Sequence, residues 1–501
     1  MTGFQTIPNW LRKRAYLTPN RVAVHFNGQE ITFQALYEKA KEAAEKIHSA
    51  GVQKGDHVAV LLKNHLDMVV ILHALQLLGC PAVLLNGRLQ ANELIFQITD
   101  SRAQYLISEA DFTDQCSAIE SFCSKPILWI EKFHHYGSKS FEEVADFPFD
   151  EVCTIMYTSG TTGKPKGVLQ TYGNHWSSAI GSALNLGLQE NDAWLTAVPL
   201  FHISGFSTLI RSVLYGIPIV LFEKFEEEKI NQALVDGKAT IMSVVSTMLQ
   251  RMIQQLGSRN YHPSFRCMLT GGGPVPLSLL ETCNQKNIPV FQTYGLTETS
   301  SQIVTLAPED SIRKLGSAGK PLFFSDIRIE KDGEIASPNQ VGEIVVKGPN
   351  VTKGYFNRNE ANQTSFTKDG WFHTGDIGYL DEEGFLFVLD RRSDLIISGG
   401  ENIYPSEIEN VIHRHPAIKE VSVVGMEDSF WGQIPVAFFV AKDGCQVTNI
   451  ELEEFCVKKL AKYKVPKRWI ELDEIPKNAA NKVLRRVLKE KLNNKKVSRE
   501  Q

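Results

Sequence analysis

The chain has 501 residues, 43% of them hydrophobic and 22% charged, with a formal net charge of -4. That length exceeds what one hydrophobic core sustains, so at least two domains are expected, and the composition excludes a fibrous or disordered chain. The slight negative balance supplies no general basic field for nucleic acid or an anionic membrane, so no nucleic-acid partner is expected and any phosphate site must be local.

In chain order, residues 1–14 mix Lys and Arg with polar residues and lack the apolar run and cleavage site of an export signal. Residues 22–26 and 30–33 flank Asn27-Gly28, a dipeptide suited to a tight β-hairpin turn. Leu36, Ala40, Ala43, Ala44 and Ile47 recur at helical spacing up to Gly51, and residues 57–62 read as an apolar strand. Residues 68–79, interrupted by His73 and Gln76, fall far short of the roughly 20 residues of a membrane span and read as a buried helix, so no transmembrane segment is expected. The β-rich runs at 218–222, 240–245, 267–270 and 289–293 each adjoin a helical pattern, which predicts an α/β fold with mostly parallel sheets.

From about residue 326 the texture turns antiparallel. Residues 343–347 and 378–390, with turn signals at Asp332-Gly333 and 382–384, predict hairpins of a further layer. Beyond Arg391 a helix, strand, strand, helix, strand and helix follow, with Ser406 and Glu409, and Thr448 and Glu451, as capping boxes. The expected division is a large N-terminal domain of several subdomains, residues 1–390, and a small α+β domain, residues 391–501. The Lys/Arg-rich end, 485–499, reads as a solvated helix face and frayed tail. Eight scattered cysteines without a CxxC pair or interleaved His predict free thiols in a reducing, cytoplasmic setting.

The chemistry concentrates first in residues 158–167, T-S-G-T-T-G-K-P-K-G. Gly160, Gly163 and Gly167 let the backbone turn its N–H groups toward an anion. Thr158, Ser159, Thr161 and Thr162 add hydroxyl donors, and Lys164 and Lys166 add positive charge. This is not a Walker A loop, because Gly160 and Gly163 stand too close together and Pro165 follows Lys164 where Ser or Thr is needed.

The segment resembles the phosphate-binding signature of the adenylate-forming superfamily, which unites acyl-CoA synthetases, luciferases and peptide-synthetase adenylation domains. The resemblance continues in order along the chain. Gly272-Gly273-Pro274 is similar to the adenine-side turn, Tyr294-Gly295-Leu296-Thr297-Glu298 to Y-G-x-T-E, and Thr374-Gly375-Asp376 to T-G-D. Asp390-Arg391 precedes the family's hinge, Gly399-Gly400 sits in the thioester-forming turn, and Lys482 matches the lysine near the C-terminus. The likeness implies that ATP, Mg²⁺ and CoA are used to activate a small-molecule carboxylate, and it leaves room for a homo-oligomer.

By that resemblance Thr297 donates to the α-phosphate, Glu298 is the Mg²⁺ ligand, Asp376 and Arg391 hold the ribose, and Lys482 is the catalytic cation. Gly399 and Gly400 would leave a slot for pantetheine once a mobile C-terminal domain turns about Ser393. Two departures stand out: Ser393 replaces the Asp or Lys of many relatives, and Asn481 replaces the usual Gly before the lysine. Asn tolerates a left-handed backbone, so that turn can survive.

The stretch Phe201-His202-Ile203-Ser204 corresponds to the wall of the acyl pocket. His202 is either its gate or a satisfied core histidine, and the absence of an Asp argues against an amino-acid substrate. Arg211 lies among Leu209, Ile210, Val213 and Leu214, where a helix starting near Ser207 would turn it inward. A buried guanidinium needs an anion, either a protein carboxylate or one on the substrate. Residues 170–212 most resemble the o-succinylbenzoate-CoA ligases of bacterial menaquinone biosynthesis, which implies that Ser204 and Arg211 bind the benzoate carboxylate of an aromatic dicarboxylate. Another aryl- or fatty-acid-CoA ligase is the alternative.

Overall fold

The computed structural model describes residues 6–123, 126–159, 165–272, 275–390, 395–442, 444–476 and 483–497. The chain divides into two compact units. One comprises Met1–Gly87, Ile95–Tyr157 and Gly167–Leu389, and the other Arg88–Leu94, Thr158–Lys166 and Asp390–Gln501.

In the larger unit the α/β expectation holds. Asn27 and Gly28 have φ of 47° and 79°, the pair of positive values that a two-residue turn between the antiparallel strands Val22–Phe26 and Gln29–Thr32 needs. Helix Phe33–Ser49 buries Leu36, Ala40, Ala43, Ala44 and Ile47 along one stripe, capped by Thr32 accepting from Ala35 N. Helix Leu66–Leu78 is buried from Met68 to its end and stops at Gly79, whose φ of 71° is left-handed. Its interior polar residues satisfy each other, His73 Nδ1 lying 3.1 Å from Gln76 Oε1.

Strands Val22–Phe26, Ile219–Leu221, Trp194–Thr196, Ile241–Val245, Cys267–Gly271 and Val290–Leu296 run parallel, side by side. Leu195, Met242, Val244 and Met268 enter one core and Trp194, Ile241, Cys267 and Leu269 another. A strand with a core on each face must be apolar at successive positions, which is why these runs lack polar alternation. A second, six-stranded sheet places Val152–Ser159 between Pro165–Thr171 and Ala82–Leu84.

Val290–Leu296 next pairs antiparallel with Ser301–Leu306, and the path continues through Ser317–Pro321 to Leu386–Asp390, Phe372–Leu380, Gly342–Lys347 and Asp326–Lys331. The antiparallel region is therefore hydrogen-bonded to the parallel one rather than a separate layer. The connecting strand, S-A-G-K-P, has poor β propensity. Gly319, at φ 103°, passes so close to the Thr305 carbonyl that a Cβ would collide with it.

In the smaller unit, Ile418–Asp428 pairs antiparallel with Gly432–Ala441, which pairs parallel with Arg468–Glu471. Val421, Val423, Ala437 and Phe439 face a core with Ile408, Ile412 and Leu452, while Val424, Val436 and Phe438 face another with Leu488 and Leu492. Thr448 and Glu451 form the expected capping box. Ser406 and Glu409 do not: helix Pro405–Ile412 begins on its proline after Tyr404, and Glu409 instead accepts from Val423 N at 2.7 Å and from Arg485 Nη2 at 2.6 Å. A short hairpin, Ile396–Ser398 with Glu401–Ile403, precedes that helix; the sequence reading lacks these strands because each is only three residues long.

Candidate functional site

The site in the larger unit grows from the place where the sheet changes from parallel to antiparallel. Between Val290–Leu296 and Ser301–Leu306 the chain makes one tight turn, Thr297–Thr299. Gly295 is required there because a Cβ would strike the Ser301 carbonyl oxygen. Thr299 Oγ1 accepts from Leu296 N at 2.8 Å and donates to Ser301 O at 2.7 Å, closing the turn. Ser300 and Ser301 have φ of 52° and 116°, a strained geometry for side-chain-bearing residues that the surrounding bonds must hold.

Those bonds come from two directions. Gln170 Nε2 donates to Thr297 O at 2.7 Å. From the other side Thr352 N donates to Glu298 O at 2.7 Å, and Asn350 Nδ2 to Thr299 O at 3.0 Å. Gln170 is itself fixed. Thr154 Oγ1 donates to Gln170 Oε1 at 2.8 Å, and since a hydroxyl has one hydrogen it must accept from His175 Nε2 at 3.0 Å. His175 therefore carries a proton on Nε2, and burial, which pushes its pKa down to about 3, keeps the ring neutral at pH 7.

Glu298 is 4% exposed. Its Oε1 accepts from the phenol of Tyr355 at 2.9 Å, and among the described residues no Lys, Arg or His pairs with it. A buried carboxylate without a cation calls for one. No cluster of three or more His, Cys, Asp or Glu suits a metal among the described residues. A single carboxylate fits Mg²⁺, which keeps most of its waters and takes substrate phosphates as ligands.

Asp376 is 1% exposed, and its Oδ2 accepts from the Tyr294 phenol at 2.7 Å. Thr374 Oγ1 donates to Ile344 O at 2.6 Å and accepts from Asp376 N at 3.0 Å. The Tyr294 and Tyr355 rings both belong to the core formed with Val168, Ile303, Val346 and Phe372. Tyr294 thus reaches Asp376 through its phenol, with its ring in the core.

Of the residues expected at the acyl pocket, Ser204 and Arg211 lie on helix Ile203–Tyr215, which starts four residues before the expected Ser207. Gly205 permits this, since a Cβ there would collide with the Pro199 carbonyl as the first turn packs down. His202 is the N-cap and half-buried, its ring 4.6 Å from that of Phe201. Ser204 is exposed, and Arg211, seven residues on, shares its helix face and is 1% exposed. Arg211 lies over the Trp194 ring at 4.9 Å, and its Nη2 donates to Ser301 Oγ at 3.1 Å. Nε and Nη1 make no hydrogen bond. No carboxylate pairs with Arg211 among the described residues, so of the two anions open to it a protein partner is not seen. Sequence reasoning missed Trp194, Ser301 and Tyr355. The serine pair directly after T-E-T was the available signal for Ser301; spacing offered none for the other two.

Thr158 and Ser159 end strand Val152–Ser159, and Lys166 lies in Pro165–Thr171. Gly272, at φ 86°, follows strand Cys267–Gly271. Gly399 and Gly400, at φ 57° and 87°, make the hairpin turn of the smaller unit. A Cβ on Gly399 would lie 2.8 Å from the Trp431 ring, so the space that glycine leaves is walled by an indole. Gly160, Thr161, Thr162, Lys164, Gly273, Pro274, Arg391, Ser393 and Lys482 lie outside the described residues.

Residues 11–356 match the AMP-binding enzyme family and residues 407–482 the AMP-binding enzyme C-terminal domain. The chain is 54% identical over 489 residues to a 2-succinylbenzoate–CoA ligase of Geobacillus sp. (strain WCH70), covering 98% of both. It is also similar to the o-succinylbenzoate CoA synthetase of Bacillus subtilis. A double mutant bound with the product analogue OSB-NCoA gives a TM-score of 0.93 at 49% identity, over 97% of this chain and 99% of that one. The complex with ATP and magnesium ion gives 0.76 at 49% identity, over 96% and 99%.

Two outcomes follow from the site's electrostatics. Arg211→Met breaks no ion pair and fills the space over Trp194, so chemical denaturation should find stability unchanged or raised; a loss of about 3 kcal/mol would mark Arg211 as a structural cation. Because His175 is depressed from 6.5 to about 3, the unfolded chain takes up its proton first. Its contribution to stability is complete above pH 6.5 and is lost as pH falls toward 3, at about 1.4 kcal/mol per pH unit. Unfolding curves at pH 7 and 5 should show a shallower dependence in His175→Gln, and an identical slope in both proteins would contradict the assignment.

Proposed function

The chain belongs to the AMP-binding enzyme family, and on that ground we propose that it converts 2-succinylbenzoate, CoA and ATP into 2-succinylbenzoyl-CoA, AMP and pyrophosphate through an acyl-adenylate. The observation that carries the choice of acid is Arg211, a buried guanidinium with two unbonded nitrogens and, among the described residues, no carboxylate beside it. An acid with a second carboxylate answers that need. A fatty acid brings only the carboxylate that reacts, and would leave Arg211 uncompensated. The relatives named 2-succinylbenzoate–CoA ligase support the same acid. The product would feed menaquinone biosynthesis, and eight free cysteines suit a cytoplasmic enzyme.

In the first half-reaction Arg211 and Ser204 hold the benzoate carboxylate, which leaves the succinyl carboxylate to react, with His202 closing the pocket. An oxygen of that carboxylate attacks the α-phosphorus, the bond to the bridging oxygen breaks, and pyrophosphate leaves. Thr297 donates to the α-phosphate and Lys482 bridges carboxylate and phosphate as negative charge gathers. Residues Thr158, Ser159, Gly160, Thr161, Thr162, Lys164 and Lys166 grip the departing phosphates. Gly272, Gly273, Pro274 and Gly295 flank the adenine, and Asp376 and Arg391 hold the ribose. Mg²⁺ on Glu298 would supply charge neutralisation to the phosphates.

In the second half-reaction the CoA thiol loses its proton and attacks the acyl carbon, and AMP leaves with the oxygen that came from the acid. Residues 391–501 act as the mobile domain for this exchange. Turning about Ser393 withdraws Lys482 and brings the Gly399-Gly400 turn to the pantetheine arm.

Wild-type chain should release pyrophosphate with 2-succinylbenzoate, and far more slowly with benzoate or fatty acids; release indifferent to 2-succinylbenzoate would refute the substrate. Lys482→Ala should slow adenylate formation by about 100-fold or more while thioester formation from supplied adenylate stays largely intact. Equal loss in both half-reactions would remove Lys482 from that role. Ser393→Pro, which fixes φ at the hinge, should lose the thioester step first, as single-turnover assays of each half would report. Normal product formation by that variant would place the hinge elsewhere.

A further inference from the structure

Tyr355 lies in a stretch that no motif reading singled out, yet it is held more firmly than a core residue requires. Asn362 clamps its backbone from both sides, Oδ1 accepting from Tyr355 N at 2.7 Å and Nδ2 donating to Tyr355 O at 2.9 Å. The preceding Gly354, at φ 129°, lets the chain approach, since a Cβ there would lie 2.6 Å from Asn362 Oδ1. A bridge to Val168 ties the same residue to strand Pro165–Thr171. The ring is 3% exposed and packed in the core, so the phenol reaches Glu298 Oε1 with little rotational freedom.

We infer that Tyr355 is a positioning residue for metal-bound ATP, its phenol fixing one oxygen of Glu298 so that the carboxylate is aimed before Mg²⁺ and nucleotide arrive. The physical reason is preorganisation. A carboxylate free to rotate must be ordered on binding, whereas one already held by a buried phenol is ordered in advance. The phenol also satisfies an oxygen that burial removes from water, and as an uncharged donor it brings no cation beside the metal's place. A lysine or arginine in its place would satisfy the oxygen equally well and repel the metal.

The inference rests on Glu298 as the Mg²⁺ ligand of the proposed reaction. Binding of ATP by the full-length chain, measured by calorimetry with saturating Mg²⁺ and again with a chelator, tests it without any acid, so an error in the acid cannot affect the result. The quantity read is the ratio of the two affinities. Tyr355→Phe should reduce that ratio about tenfold, the size expected for losing a hydrogen bond to a charged group, while metal-free binding stays as in wild type. Glu298→Gln should abolish the metal-dependent part, and the double variant should lose no more than Glu298→Gln alone. Asn362→Ala, which loosens the clamp and spares the phenol, should move the ratio in the same direction if Tyr355→Phe does not fold.

An unchanged ratio in Tyr355→Phe, with Glu298→Gln showing its loss, would overturn this inference and leave the reaction standing. Equal weakening with and without metal would overturn it too, by reducing Tyr355 to a packing residue. An unchanged ratio in Glu298→Gln would remove the metal ligand itself and this inference with it.

Discussion

Everything at the candidate site depends on one tight connection between Leu296 and Ser301, where a parallel sheet hands over to an antiparallel one. A parallel strand ordinarily leaves its sheet through a long crossover. Here it reverses at once, and the bonds made within the turn by Ser300 N and Thr299 Oγ1 are joined by others from outside it. Gln170, Thr352 and Asn350 supply those bonds to Thr297, Glu298 and Thr299 in turn. The connection thereby becomes rigid, and a rigid turn that displays a hydroxyl and an acid is what a phosphate and its metal ion need. The constraint that orders the fold also orders the chemistry.

Burial of charge is the second theme. Glu298, Asp376 and Arg211 are each almost wholly removed from water, a state that is unfavourable unless a partner compensates. The two acids receive a neutral phenol, from Tyr355 and Tyr294, and Arg211 receives a serine hydroxyl and an indole face. Such partners satisfy hydrogen bonds without cancelling charge. Around Glu298 and Arg211 the described residues thus supply hydrogen bonds and no opposite charge.

How much of this was legible in the sequence varies with the range of the interaction. The hairpin at Asn27-Gly28, the stripe of helix Phe33–Ser49 and the capping box at Thr448 are set by neighbours a few positions apart, and local chemistry suffices to find them. Ser406 and Glu409 show the limit of such rules: the spacing was right, but Pro405 had the stronger claim on the helix start and Arg485, far along the chain, on the glutamate. Glu298 and Asp376 could be singled out because they sit in contiguous motifs. Their tyrosine at 355 was not, because it is 57 residues from Glu298 and meets it only after the sheet is assembled. Arg211 was suspected of needing an anion from its apolar neighbours alone; that no carboxylate pairs with it among the described residues required the fold.

The proposed reaction requires that an oxygen of the acid attack the α-phosphorus of ATP. It is tested most directly by supplying 2-succinylbenzoate labelled with oxygen-18 in both carboxylates, together with ATP, Mg²⁺ and CoA, and weighing the products. The account predicts that AMP carries one labelled oxygen and pyrophosphate carries none. Label in inorganic phosphate, or unlabelled AMP alongside thioester, would contradict it.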